Sequence, residues 1–196
     1  MIGTIANADT LRIATYHSGL SRKGPGLLLR DILRHEHQVE ATVEVIGRNA
    51  PDILLLTGFD HDYDLVAARA FRDLLNDKGL HYPYLFAKRP NTGQPTGVDV
   101  DGDGRLAEPE DAKGYGAFTG QGGMLILSRL PVNFDNVQIF SEMLWRNLPG
   151  HQIPSEVSKT VRAALPLSSV GHWVVPIETG VGPLFLIGLS RSNTGV

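Results

Sequence analysis

The segment from Asp52 to Thr57 (DILLLT) limits the fold more than any other stretch of this chain. It is a short apolar run closed off by Pro51 and Gly58, the signature of a strand covered on both faces. Such a strand sits inside a sheet that has layers above and below it, so its C-terminal end is where chemistry is expected. The flanking segments supply candidate layers. Leu11 to Tyr16 (LRIATY) alternates β-favouring residues and reads as a first strand that enters a loop at His17. Leu27 to Leu33, then Val39, Val43, Ile46 and Ala50, recur at helical spacing, as one broken helix or two short ones ended by Pro51.

Beyond FDHDYD, Asp64 can N-cap a helix with Leu65, Ala68, Phe71 and Leu75 on its apolar face, Lys78 in its last turn and Gly79 at its end. Tyr84 to Lys88 is the next strand. A loop rich in Gly, Pro and Asp then occupies residues 89–122, long for a connection without structure of its own. Gly123 to Ser128 resumes the sheet, and Trp173 to Ile177 with Leu184 to Gly188 form a hairpin across ETGVGP. Strand, helix, strand, helix and then a run of strands is the order of a single α/β domain.

Composition removes several alternatives. At 196 residues, 42% hydrophobic and 20% charged, the chain can bury one core and is not a disordered tail. Its 18 basic and 21 acidic residues leave a net charge of -3, so nucleic acid is allowed as a partner but not indicated by charge. Without cysteine there are no disulfides or thiolate ligands, and metal ions must be held by oxygen or imidazole. No apolar run approaches the ~20 residues of a membrane span. Residues 1–8 contain Ala6-Asn7-Ala8, a small-x-small pattern that is either chance or the remnant of a longer leader. The leader reading implies secretion or a periplasmic location, and the other implies the cytoplasm.

Four segments in this order, LRIATY, APDILLLTGFD, GYGAFTGQGGMLILSRLPV and GPLFLIG, resemble the endonuclease/exonuclease/phosphatase superfamily. SRKGPGLLLRDI and the GVDVDGDGRL insertion resemble an uncharacterised bacterial subgroup of it. The resemblance implies a sandwich of two mixed sheets flanked by helices, and hydrolysis of a phosphoester by water activated at a divalent cation, Mg or Mn. It places the family's first-strand Asn on His17 and the family's metal-binding Glu on Gly58, which has no side chain. Asp60 and Asp62 follow closely and can bring carboxylates to the same mouth, or serve only as solvated acids or caps. His17, Asp60 and Asp62 are therefore the candidate catalytic residues. The family's later Asp-x-Asn pair and terminal Ser-Asp-His group are absent, and Ser192 and Asn193 do not rebuild them. The expectation is a product that lacks the C-terminal part of the domain, through a shifted reading frame, and whose open sheet edge requires cover from a partner chain or from the remainder of the fold.

The most specific local motif is DVDGDGRLAEPE. Asp99, Asp101 and Asp103 alternate, Gly104 permits a sharp turn, the Arg105 carbonyl can contribute and Glu110 ends the run, which is EF-hand loop spacing. So many protein oxygens suit calcium better than magnesium. Pro95, Gly97, Pro109 and Gly114 rule out flanking helices, so this is expected as an isolated loop site. Two functions follow: a metal-dependent phosphoesterase scaffold inactive in this chain, or a non-catalytic calcium-binding or partner-binding module on the same fold. Arg129 is expected in a strand-end salt bridge, Trp173 in the core, and Arg22 and Lys23 in an exposed basic turn or on a phosphate.

Overall fold

The computed structural model describes residues 10–190, so Ala6-Asn7-Ala8, Ser192 and Asn193 lie outside the described residues. The elements run β1 (Ile13–Leu20), α1 (Leu27–Leu33), α2 (His37–Asn49), β2 (Ile53–Phe59), α3 (Val66–Asp77), β3 (Tyr84–Phe86), β4 (Gly123–Ser128), β5 (Gln138–Ile139), α4 (Lys159–Ala164), β6 (Gly171–Thr179) and β7 (Gly182–Ser190). They build two sheets, ordered β1-β2-β4-β3 and β5-β6-β7. β1 and β2 are parallel, as a helical crossover requires, and the remaining pairs are antiparallel. This is the mixed α/β sandwich expected from the sequence.

β2 is the hub, and its burial on both faces explains its composition. Leu54, Leu56 and Phe59 belong to a core shared with the helices, including Val39, Val43, Ile46, Phe71 and Leu75. Ile53 and Leu55 point the other way, into a core between the sheets with Ile126, Trp173, Val175 and Ile177. Trp173 is 1% exposed and meets Phe86 edge-to-face at 5.1 Å between ring centroids, as expected of a core residue.

The helical stretch before β2 is two helices. His35 adopts a left-handed conformation (φ 53°), and the Glu36 carboxylate then accepts from the Gln38 N–H at 2.9 Å to start α2. For α3 the acid that accepts a first-turn N–H is Asp62, from Ala67 at 2.8 Å, and not Asp64. Asp64 and Leu65 are both left-handed, which displaces the helix start and leaves Asp64 exposed. β1 extends to Leu20, so His17 lies within the strand and not in a loop, and β3 stops at Phe86.

The long connection is tied down along its length. Isolated bridges join Thr92 to Gly114 and Pro95 to Ala112. Buried Asn91 donates from Nδ2 to the Ser141 and Ser168 carbonyls at 2.7 and 2.8 Å, fastening the loop to the second sheet. Among the described residues no helix is long and apolar enough to cross a membrane.

Candidate functional site

Because β1 and β2 run parallel, their C-terminal ends open at the same mouth, and His17 sits directly opposite Thr57. His17 Nδ1 lies 3.0 Å from Thr57 Oγ1. The next residue, Gly58, has φ +67°, in a register irregularity between Thr57 and Phe59. Only glycine takes that backbone shape without strain. A Cβ placed on Gly58 would lie 2.6 Å from His17 Cε1, so the imidazole fills the space a side chain at this position would need.

Asp60 is buried, and both of its oxygens are engaged by backbone. Oδ2 accepts from the Arg22 N–H at 2.7 Å and Oδ1 from the Gly122 N–H at 2.8 Å. Burial pushes its carboxyl above the usual range, opposed by those two N–H groups. The carboxylate thereby knits the segment after β1 to the segment before β4. Asp62 spends Oδ2 on α3, and its Oδ1 is buried without a hydrogen-bond partner. Beside them, His61 donates its backbone N–H to Gly120 at 2.8 Å, and burial lowers its imidazole pKa. A cavity of about 160 Å3 adjoins Asp60, His61, Asp62 and Tyr63, walled by Leu28, Leu29 and Phe118. Among the described residues, His17, Asp60 and Asp62 do not converge as a set that could hold a metal ion.

The basic residues near the mouth are committed elsewhere or remain at the surface. Arg22 is not an exposed turn residue: Nε meets Asp31 Oδ2 at 2.7 Å, and NH1 donates to the Gly19 and Ser21 carbonyls. This guanidinium, followed by that of Arg30, holds the Asp31 carboxyl below the usual carboxylate range. Lys23 is exposed. Arg129 forms the expected salt bridge, 3.3 Å from Asp52, and stacks 5.6 Å above the Tyr82 ring.

The acidic loop behaves differently. Asp99, Asp101 and Asp103 each offer a carboxylate oxygen, all within 4.8 Å of one another. Alternation and glycine turns produce that convergence: Asp99 accepts from the Gly102 and Gly104 N–H groups at 2.6 and 2.9 Å, and Asp103 from the Arg105 N–H at 2.8 Å. The Gly104 N–H is the main cause of a lowered Asp99 pKa. Glu110 stays exposed outside the trio, and the Arg105 side chain turns to Glu108 at 3.2 Å. Asp111 closes the loop, although the motif reading did not include it. It is buried, accepts from the Val100 N–H at 2.8 Å, and forms a capping box with Glu108. The Glu-Pro-Glu-Asp spacing was the sequence signal for that box.

The sequence profile of the Endonuclease/Exonuclease/phosphatase family matches residues 23–186. The chain belongs to the endonuclease/exonuclease/phosphatase family. Among solved structures it is similar to the endonuclease/exonuclease/phosphatase from Beutenbergia cavernae DSM 12333, with 18% identity and a TM-score of 0.46 over 95% of this chain and 39% of that one. SmcL is similar at 14% identity and a TM-score of 0.40, over 95% of this chain and 50% of that one. The chain thus spans half or less of the length of these two structures. No curated protein matches it. As an endonuclease/exonuclease/phosphatase member it carries a phosphoesterase- or nuclease-type scaffold, in a family that is generally dependent on divalent metals. The position the resemblance assigns to the family's metal-binding Glu is a left-handed glycine whose missing Cβ would meet the His17 ring.

Proposed function

We propose that this member uses the phosphoesterase scaffold without hydrolysing phosphoesters at the β1–β2 mouth, and that it binds a calcium ion in the loop from Asp99 to Asp103. The observation that carries the first part is Gly58. Hydrolysis by a metal-activated water needs a carboxylate to hold the cation. The mouth instead presents a left-handed glycine packed against an imidazole, with both Asp60 oxygens engaged, one Asp62 oxygen turned to α3, and no convergence of His17, Asp60 and Asp62 among the described residues. These residues do not fit a divalent cation, and no catalytic step is assigned to them.

The converged trio supports the second part. Three carboxylates brought this close repel one another, Arg105 Nε at 3.8 Å from Asp103 Oδ2 offsets only part of that charge, and a calcium ion with its flexible oxygen coordination relieves the rest. For the mouth, purified chain is incubated with bis(p-nitrophenyl) phosphate in the presence of Mg or Mn. The expected result is release of nitrophenol no faster than metal and buffer alone. Metal-dependent turnover that disappears in His17→Ala would overturn the reading.

A further inference from the structure

The cavity between α1, the start of α3 and the end of the long connection has an unmet charge in its wall. Asp62 accepts the Ala67 N–H on Oδ2 at 2.8 Å, and its Oδ1 is buried without a hydrogen-bond partner. Asp62 and Ala67, the two ends of that bond, both line the cavity of about 160 Å3, which places the carboxylate at its α3 side. A carboxylate oxygen shut off from water is costly to leave unpaired, and a positively charged donor satisfies it best. The cations nearby do not supply one. His61 lines the same cavity, but burial lowers its imidazole pKa from the ordinary value of about 6.5, which keeps it neutral at pH 7. Arg22 is spent on Asp31 and on the Gly19 and Ser21 carbonyls. Arg89 is exposed, opposes protonation of His61, and is not a hydrogen-bond partner of Asp62.

The rest of the wall sets the shape and polarity of an occupant. Pro25, Leu28, Leu29 and Phe118 are apolar, and the volume is comparable to that of an engineered apolar cavity of about 150 Å3 that holds benzene. An occupant therefore needs a small apolar body and one cationic N–H group. A divalent metal ion is a poor match, because it requires several oxygens and both Asp60 oxygens are held by backbone N–H groups. The approach to Oδ1 lies beside the segment after Asp62. Tyr63 is 89% exposed, so its ring can turn aside without losing burial. Asp64 and Leu65 are successive left-handed residues, a sparsely populated backbone of the kind that persists at ligand clamps.

We propose that this cavity binds a small primary amine in its protonated form, with the ammonium group donating to Asp62 Oδ1 and the alkyl body resting against Leu28, Leu29 and Phe118. The proposal rests neither on the state of the β1–β2 mouth nor on calcium in the acidic loop.

The probe is n-butylammonium chloride, titrated into the full chain at fixed ionic strength and followed by amide NMR. Saturable shifts are expected at His61, Ala67 and Thr119, which line the cavity. n-Butanol has the same body without the charge and should bind about tenfold more weakly or worse. Tetramethylammonium has the charge without an N–H and should not bind. Asp62→Asn keeps an oxygen for the Ala67 N–H and sets an amide N–H in place of Oδ1, so it should weaken n-butylammonium by about tenfold or more. Asp64→Asn removes an exposed charge from the same loop and should leave binding unchanged. Nα-acetyl-lysine methylamide carries the same butylammonium group on a backbone: equal affinity assigns the cavity to a lysine side chain of a polypeptide, and weaker binding assigns it to a free amine. Absence of saturable shifts in the wild-type chain overturns the proposal, as does equal binding of n-butanol or tetramethylammonium, and these arms do not depend on the folding of a variant. Binding of n-butylammonium indifferent to Asp62→Asn overturns it as well.

Discussion

Gly58 concentrates two separate constraints, a left-handed backbone and a neighbouring ring, and substitution tells them apart. Gly58→Ala should cost about 1–3 kcal/mol through backbone conformation alone, with an added cost from the contact with His17. In a His17→Ala background the added part should vanish and the backbone part remain. Urea denaturation of the double-mutant cycle measures this, and strict additivity would show that the ring contact contributes nothing. Asp31 provides the pH-dependent counterpart. Its carboxyl, held low first by Arg22 and then by Arg30, has a folded pKa below the unfolded value. Its stabilisation is therefore present above the ordinary carboxylate range of about 4 and lost as pH falls through the depressed folded value. Stability measured from pH 6 downward should fall less steeply in Asp31→Asn than in wild type. An identical slope would remove Asp31 from that account.

At the scale of elements, the acidic loop is the part whose behaviour a ligand should change. Asp99, Asp101 and Asp103 are placed by glycine turns and by backbone N–H groups, so the loop is shaped before any ion arrives. Isothermal titration with calcium should give saturable heat for wild type and none for Asp101→Ala. Calcium should also raise the melting temperature of wild type alone, since a ligand that binds only the folded state stabilises it. Absence of heat with the wild-type chain removes the proposal. Elements were legible in the sequence to the extent that their signals are local. β4 has the bounds its apolar run indicates, and α3 has the expected apolar face in Ala68, Phe71 and Leu75. The start of α3 was not legible, because Asp62 and Asp64 are both competent caps and the choice between them depends on the left-handed turn at Asp64 and Leu65. β5 and α4 escaped for another reason: two and six residues long, they are too short for periodicity to register.

For the whole molecule, one expectation follows from how the two cores share β2. The helix-side core takes Leu54 and Leu56 from it and the inter-sheet core takes Ile53 and Leu55, so neither core can be lost without stripping a face of the same strand. In a Trp145→Phe background, fluorescence from fully buried Trp173 in the second core and far-UV circular dichroism should report the same urea midpoint. Separate midpoints would mean that the second sheet detaches first. The sequence by itself determined the α/β class, the doubly buried central strand, the convergent acidic loop and the family, because each rests on local alternation, spacing or motif. Only the tertiary structure decided that His17 lies inside a strand, that its ring occupies the space above Gly58, and that Asp60 and Asp62 are engaged by backbone N–H groups. Those facts depend on how β1 and β2 pair and on how the segments around them close, and a contact between segments far apart in the chain leaves no trace in local pattern.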